Sequence, residues 1–525
     1  MEIQTGIQIR KKGESPPPLK NIKDPKFLLL YAPQRHDPTY GTVKPEVSLG
    51  NLYLAAALEE KGFQADILDC CIGNDPKHSM QESFERIINL SRGMVRVGLS
   101  EETILKEVES YDVIGVSSIF TPQTYMVEDT VRQISQAYPE KIIIMGGINA
   151  RTQMKRFFDA GAHAICISEA ERTIVQIGES IRRGNSDFSN IPGVAFLNNG
   201  RIQINPVMDV EMNLDNLPIP ARHKLPLERI AFINRPHGGS LRPGTLDKPN
   251  IYVSMMTSRG CPYDCDFCHI SGEQAGSLTG EIGKFRFQSV ERVERELIAI
   301  RELGTKYIYI EDDSLLAKKK RALEIFRMLI KFGFQLGDVN GVNLSHLHKN
   351  EKGKIVIDDE MLETMAEAGF DRLSFPVESG SQRIIDRWVS GKISHETYDI
   401  SKLIKKANSL GITVSSCYLI GYPDETEEEL YQTLVAARSH LDAGSAYVNL
   451  TIVTPFPGTR LYEYVMENNL LLPGIDIADL DWMRPSIKTI IDPSVIEFVS
   501  KYMWKFINRP ERVAMVRSMA PKTTE

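Results

Sequence analysis

Short apolar runs alternate with longer amphipathic stretches along most of this chain. Between about residues 25 and 200 the runs are KFLLLYA, QADILD, YDVIGVSS, KIIIMGG and AHAICIS. Each ends in small or polar residues. The stretches between them carry apolar positions at helical spacing, as in NLYLAAALEEKG, which Gly62 closes. This is the βαβα rhythm of a parallel, doubly wound sheet, with ligand chemistry expected at the carboxyl edge of its strands. After residue 250 the rhythm restarts. IYVSMMT, KYIYIED, FQLGDVNGVNL, DRLSFPV, ITVSSCYLIG and AYVNLTIVTP read as strands. The helix before the second of them has Ser289 as its cap, Val293, Leu297 and Ile300 on one face, and Gly304 at its end. Six such strand–helix units without hairpin signals predict a partial (β/α)6 barrel.

The fold class is therefore α/β throughout. Residues 1–24, which carry Pro16–Pro18, read as a tail, and 25–205 as the doubly wound domain. Residues 206–249, rich in Pro, Gly and Arg, read as a connector. Residues 250–475 form the barrel, and 476–525 a short helical C-terminal region. Within that region, 494–519 is amphipathic and basic. Val495, Phe498, Met503 and Phe506 give it an approximate apolar face, and Lys501, Lys505, Arg509, Arg512 and Arg517 supply charge. The expectation is a helix packed over the open side of the barrel. The alternative is an interfacial helix that brings the site to a lipid-like substrate.

Composition narrows the class. The chain has 525 residues, 42% of them hydrophobic, and a formal net charge of −7, which does not recommend a nucleic acid as partner. The first residues, MEIQTGIQIRKKGE, have no apolar signal core, and no apolar run reaches membrane-spanning length. Seven cysteines are too few for a disulfide framework and suit a reducing compartment, so a soluble, cytoplasmic protein is expected.

Three of the seven fall together, in SRGCPYDCDFCH: Cys261, Cys265 and Cys268. Clustered thiolates in a reducing compartment are metal ligands or redox groups. A structural zinc site needs four ligands, and His269 follows Cys268 too closely to be the fourth. Three thiolates instead leave one iron of a four-iron cluster open to a small molecule. The segment also follows the first barrel strand, at the rim where barrel active sites lie.

C-x-x-x-C-x-F-C, preceded by Thr-Ser-Arg-Gly, closely resembles the cluster loop of radical S-adenosylmethionine enzymes. The resemblance extends over most of residues 206–465, through PIPARHKLP, EDDSL, VESGSQ, IGYPDETEEE and TPFPGTRLY. It implies a 4Fe-4S cluster on Cys261, Cys265 and Cys268, with S-adenosylmethionine chelated by its open iron and cleaved to a 5′-deoxyadenosyl radical. Phe267 then sits beside the adenine. One of Glu311, Asp312 and Asp313 holds the methionyl ammonium, and Glu378 and Ser379 bond ribose or amine. Cys417, inside a strand, reads as a small buried residue.

The first domain resembles the cobalamin-binding domain that precedes the barrel in one branch of this family. Ser117-Ser118-Ile119 resembles an S-x-L element. Residues 120–145 separate it from Gly146-Gly147, where backbone is expected to approach the corrin or its tail. SEAERT, 168–173, resembles the next segment of that domain. The D-x-H-x-x-G motif of base-off cobalamin proteins is broken: Gln34 and Thr39 flank His36 in PQRHDPTYG. That favours a loop histidine over a cobalt ligand, and the branch often lacks the ligand. Methylthiotransferases also carry an N-terminal α/β domain, but with three ligands for a second cluster. Here only Cys70, Cys71 and Cys166 are available there, two of them adjacent, so no second cluster is expected.

The resemblance implies a cobalamin-dependent radical enzyme that methylates an unactivated carbon or a phosphinate phosphorus. One S-adenosylmethionine methylates the cobalamin and a second makes the radical. Its substrate is a small or lipid-like molecule, and its partner an external electron donor such as a flavodoxin or ferredoxin. The alternatives are a radical cyclase or oxidative ring-forming enzyme without methyl transfer, and a non-enzymatic cobalamin sensor.

Overall fold

The structure, a computed structural model, describes residues 22–36, 48–74, 77–79, 87–90, 93–185, 187–207, 210–233, 251–508 and 510. The N-terminal tail up to residue 21, Thr39 and the last fifteen residues, including Arg512 and Arg517, lie outside the described residues, as do Arg509 and much of the connector. Among the described residues no helix is long and apolar enough to cross a membrane.

The first sheet takes its strands from the apolar runs. They are β1 (Phe27–Tyr31), β2 (Ala65–Asp69), β3 (Val113–Ser117), β4 (Ile142–Gly146) and β5 (Ala164–Cys166), followed by β6 (Val194–Asn198) and β7 (Arg201–Ile204). The order across the sheet is 2-1-3-4-5-6-7, parallel from β2 to β5. Their runs are continuous rather than alternating because both faces are covered: Leu28, Leu30 and Ile114 face one core, and Phe27, Leu29 and Val113 the other. The strand order reverses between β1 and β3, and a crevice opens at their carboxyl ends.

β6 and β7 are an antiparallel hairpin beyond the parallel runs. Its turn is Asn199-Gly200, both with positive φ (48° and 75°), the backbone that an Asn-Gly turn selects.

The second sheet is β8 (Tyr252–Met255), β9 (Tyr307–Ile310), β10 (Gln335–Asp338), β11 (Phe370–Glu378), β12 (Thr413–Ile420) and β13 (Tyr447–Ile452). They pair in sequence order and in parallel, and β13 does not return to β8. The partial barrel read from the sequence is thus present. The Ser289 hydroxyl accepts from Arg292 N at 3.1 Å and caps the helix Val290–Glu302, whose Val293, Leu297 and Ile300 are buried. The barrel half does contain a hairpin, contrary to the expectation of none. His348–Glu351 and Lys354–Ile357 form an antiparallel pair around Lys352-Gly353, again both at positive φ. Its first strand, HKNE, is polar, and its second, KIVI, is apolar but at most half-buried, so neither carries apolar–polar alternation.

The two sheets share a core. Tyr31, Leu52 and Tyr53 from the first meet Tyr252, Tyr307 and Tyr309 from the second, with Leu214, Leu217 and Ile230 of the connector between them. Arg222, in the PIPARHKLP stretch, is 2% exposed and donates to Glu296 at 2.6 Å and to Ser254 O at 2.7 Å. The described part of the connector is thus packed rather than loose.

The C-terminal stretch departs from its predicted face. Pro493–Phe498 and Trp504–Ile507 are helical, but Val499–Met503 between them is a π-turn. The extra residue in this turn rotates the next helix about its axis, so a 3.6-residue pattern does not hold across it. Ile496 and Val499 are buried, Ser500 donates to Leu450 O and Trp504 to Val448 O. Of the predicted face only Met503 packs against the barrel core. Val495, Phe498 and Phe506 are exposed, Phe506 by 76%.

Candidate functional site

A cavity of about 510 Å³ lies between the two sheets, at the carboxyl ends of both. From the first domain it takes Ser117, Gly146, Gly147, Ser168 and the helix start at Leu49 and Gly50. From the barrel side it takes Met256, Arg259, Gly260, His269, Glu311 and Asp313.

The cysteine loop is held by its neighbours. Ser258–Arg259 pairs antiparallel with Arg286–Phe287, and Cys261 N donates to Gly283 O at 3.1 Å. Gly260 has φ 79°, and a Cβ there would stand 2.4 Å from Lys284 O, so only glycine fits this crossing. Cys268 N donates to Cys265 O at 3.0 Å, and the Ser271 hydroxyl donates to the same carbonyl at 2.7 Å. Cys265 is buried, and Cys261 and Cys268 are half-buried. Burial pushes the Cys265 thiol up to about 12 and Cys268 to about 11, and neighbouring thiols add to the rise. Iron would take these ligands as thiolates, so loading releases protons.

Among the described residues no three His, Cys, Asp or Glu side chains converge as around a single ion. A cubane makes a different demand, since each thiolate takes its own iron. Three thiols on one short loop, with no fourth, fit a cluster with one open iron. His269 turns away: its Nε2 meets Pro457 O at 3.1 Å, its ring stacks on Phe456, and burial lowers its pKa to about 4.

The acidic run after β9 separates into distinct environments. Asp312 is 1% exposed and accepts from Thr257 N, Thr257 Oγ1 and Ser258 Oγ at 2.5–2.7 Å, so it ties the cluster loop to the barrel wall and does not line the cavity. Glu311 and Asp313 do line it. Asp313 accepts from Gly260 N at 2.8 Å; burial, with Asp312 nearby, raises its pKa to about 6. Glu378 sits at φ 67° on a bulge of β11 and accepts from Lys392 at 2.7 Å. Ser379 is fully buried, its hydroxyl 3.2 Å from that of Thr433 and accepting from Ser381 N. That leaves it no free face toward a cofactor. Phe267 is half-buried against the barrel core.

On the other wall, Ser117, Gly146 and Gly147 line the cavity, but Ser118 does not. Ser118 is buried, its hydroxyl accepts from Asn149 Nδ2 at 2.8 Å, and its carbonyl accepts from Asn149 N at 3.1 Å. Gly147 has φ 97°, and its Cβ would stand 2.4 Å from Ser118 O, so this glycine answers the chain's own packing. A Cβ on Gly146 would meet nothing nearer than Cys166 Cβ at 4.0 Å. With Leu54, Ile119 and Ile144 the bare Gly146 makes an apolar wall suited to a flat, bulky ligand. His36 lies in a small three-stranded sheet, opposite Val95, and is not among the cavity-lining residues. Cys70 and Cys71 are buried, and only Cys166 reaches the cavity.

Sequence reasoning missed the groups that join the walls. Arg259, two residues before Cys261, donates to Glu171 at 2.6 Å, lies 3.2 Å from Glu169 and stacks over Tyr53. Burial works against its charge, yet Glu171 and Glu169 more than offset this and keep it protonated. Arg286 donates to both oxygens of Glu169 at 2.7 and 2.9 Å, and Ser168 to Thr279 O at 2.7 Å. SEAERT thus carries the acidic half of a domain clamp. These partners are separated by about a hundred residues, which no local pattern encodes.

Models of two families match the chain: the Radical SAM superfamily over residues 255–437 and the B12 binding domain over residues 43–178. The chain belongs to the radical S-adenosylmethionine superfamily, in the branch that carries a B12-binding domain. It is an enzyme whose cofactors are a 4Fe-4S cluster, S-adenosylmethionine and cobalamin.

An uncharacterized methyltransferase of Pyrococcus horikoshii is 28% identical over 425 residues, 78% of this chain and 82% of that one. The cytidylyl-2-hydroxyethylphosphonate methyltransferase of Streptomyces wedmorensis is 27% identical over 462 residues, 81% and 79% of the two chains. In fold the chain is similar to the cobalamin-dependent S-adenosylmethionine radical enzyme OxsB, with a TM-score of 0.66 at 16% identity over 92% of this chain and 67% of that one. It is also similar to the methyltransferase TsrM of Kitasatospora setae with cobalamin and [4Fe-4S] cluster bound, with a TM-score of 0.60 at 15% identity over 91% and 82%.

Proposed function

We propose that this enzyme transfers a methyl group to an unactivated carbon, or to a phosphinate phosphorus, of a small or lipid-like substrate. One observation carries the reading: Arg259, Gly260, His269 and Ile270, which flank the cysteines, line the same cavity as the B12-binding sheet, so both cofactors address one substrate. Bound there, the cluster and S-adenosylmethionine supply a 5′-deoxyadenosyl radical and cobalamin supplies the methyl group.

The chain's own residues prepare the place. Cys261, Cys265 and Cys268 are the cluster ligands in this reading. Glu311 and Asp313 are the carboxylates that reach the methionyl ammonium, and Asp312 positions the loop beneath them. Glu378 offers the cofactor the carboxylate oxygen that Lys392 does not hold. Ser117 and Gly146 border the corrin, and the apolar wall excludes water from the radical's path. Low-potential electrons come from an external donor such as a flavodoxin or ferredoxin, in a cytoplasm that keeps all seven cysteines free.

Methyltransferase relatives that span most of the chain favour transfer over ring formation. The test is anaerobic turnover of reconstituted enzyme with methyl-labelled S-adenosylmethionine. Cytidylyl-2-hydroxyethylphosphonate is the first substrate to offer. Label in the product, with both S-adenosylhomocysteine and 5′-deoxyadenosine formed, supports transfer. Substrate consumption with 5′-deoxyadenosine alone overturns it in favour of ring formation. Cysteine-to-alanine variants at 261, 265 and 268 should each lose iron and radical formation, and Cys417→Ala should keep both.

A further inference from the structure

Lys392 stands in the turn after the helix Gln382–Trp388, where Ser390 and Gly391 both adopt left-handed backbone (φ 57° and 58°). The turn folds back against the cysteine loop, and its contacts fix it there. Asp266 N donates to Trp388 O at 3.0 Å. Val389 O accepts from Lys392 N at 3.3 Å and from the Cys265 thiol at 3.7 Å, so residue 392 and a cluster ligand share one carbonyl. The Lys392 ammonium donates to Glu378 at 2.7 Å, with the two side chains only 11% and 8% exposed.

We propose that Lys392 is a positioning residue that sets the reduction potential of the cluster by holding a buried positive charge beside the cysteine loop. The reasoning is electrostatic. Reduction adds one electron from an external donor and makes the cluster more negative. A cation fixed nearby, in a medium far less polarisable than water, stabilises the reduced form more than the oxidised one. An exposed lysine would be screened and do little. Glu378 anchors the ammonium and partly opposes it.

The inference rests on the three cysteines being the cluster ligands. Its test is a potentiometric titration of the reconstituted holoenzyme, with dithionite as reductant and without S-adenosylmethionine, read by the electron paramagnetic signal of the reduced cluster. Lys392→Gln should lower the midpoint so that reduction is about tenfold less favourable, about 59 mV for one electron. Lys392→Arg should restore it, and Glu378→Gln should move it the opposite way. If Lys392→Gln does not load iron, the double variant Lys392→Gln/Glu378→Gln leaves no unpaired buried charge, and its midpoint should still lie below wild type. An unchanged midpoint at wild-type iron content overturns the inference. So does a variant that loses only affinity for S-adenosylmethionine, which would make Lys392 an anchor for the cofactor carboxylate. Cysteine variants that keep their iron would instead overturn the ligand assignment, whatever Lys392→Gln does.

Discussion

Gly146 and Gly147 are neighbours, and their substitution should fail in different ways. Gly146 ends β4 in extended backbone, paired with Ser117. A Cβ there meets only Cys166 Cβ at 4.0 Å, an ordinary contact, so Gly146→Val should fold. The added methyls stand in the cavity. Crowding of that kind costs about 1–3 kcal/mol, which weakens cobalamin roughly 5- to 150-fold at about 1.4 kcal/mol per tenfold. Gly147→Ala puts its Cβ 2.4 Å from Ser118 O at φ 97°. Backbone strain alone costs about 1–3 kcal/mol, and relief by moving the Ser118 carbonyl would disturb its bonds from Asn149 and Ala150. The melting temperature should then fall by roughly 2–4 °C per kcal/mol. The assays are an absorbance titration of apoprotein with hydroxocobalamin and thermal unfolding without it. A folded Gly146→Val that binds with wild-type affinity would refute the placement of the corrin against this wall.

Arg259→Leu leaves Glu171 and Glu169, on the same side of the clamp, without this cation, and should cost about 3–5 kcal/mol in thermal or denaturant unfolding. Wild-type stability in that variant would show that the clamp is dispensable. Glu425 is fully buried, accepts from Gly421 N at 2.6 Å, and burial raises its pKa from 4.5 to about 7. The unfolded state therefore loses its proton first, and this group makes stability fall as pH rises from about 4.5 to 7; Glu425→Gln should gain up to about 3 kcal/mol at pH 8 and nothing at pH 4, and a pH-independent difference would count against the assignment. At the C-terminal end, Ile496→Ala should cost about 2–5 kcal/mol, whereas the exposed Phe506→Ser should stay within about 0.5 kcal/mol in the same unfolding assay.

The central parallel strands of the first sheet are legible in the sequence because they are buried on both faces, which makes them uninterrupted apolar runs such as KIIIMGG. The cysteines are legible for another reason: their ligand spacing is local. Features that are local but polar escape an apolar pattern. The Lys352-Gly353 hairpin joins a polar strand to a short apolar one without alternation, and the Asn199-Gly200 turn shows only in its residues, which state the turn type. The C-terminal face fails where a π-turn breaks the helical period. Arg259, Lys392 and the split between Asp312 and Asp313 are out of reach, because each depends on which distant segment arrives beside it. Neighbouring aspartates look alike in a sequence. Only the fold turns one toward Thr257 and Ser258 and leaves the other facing the cavity.

The clamp at Arg259 makes the two halves of the enzyme thermodynamically reciprocal. The loop that holds the cysteines is the same loop that grips Glu169 and Glu171 of the B12-binding sheet. Any ligand that steadies one side of that grip steadies the other by an equal free energy. Cobalamin bound to the sheet should therefore tighten the hold on iron against a chelator at equilibrium, and an intact cluster should tighten cobalamin by the same factor. The enzyme's maturation then becomes cooperative: whichever cofactor arrives first prepares the chain for the next.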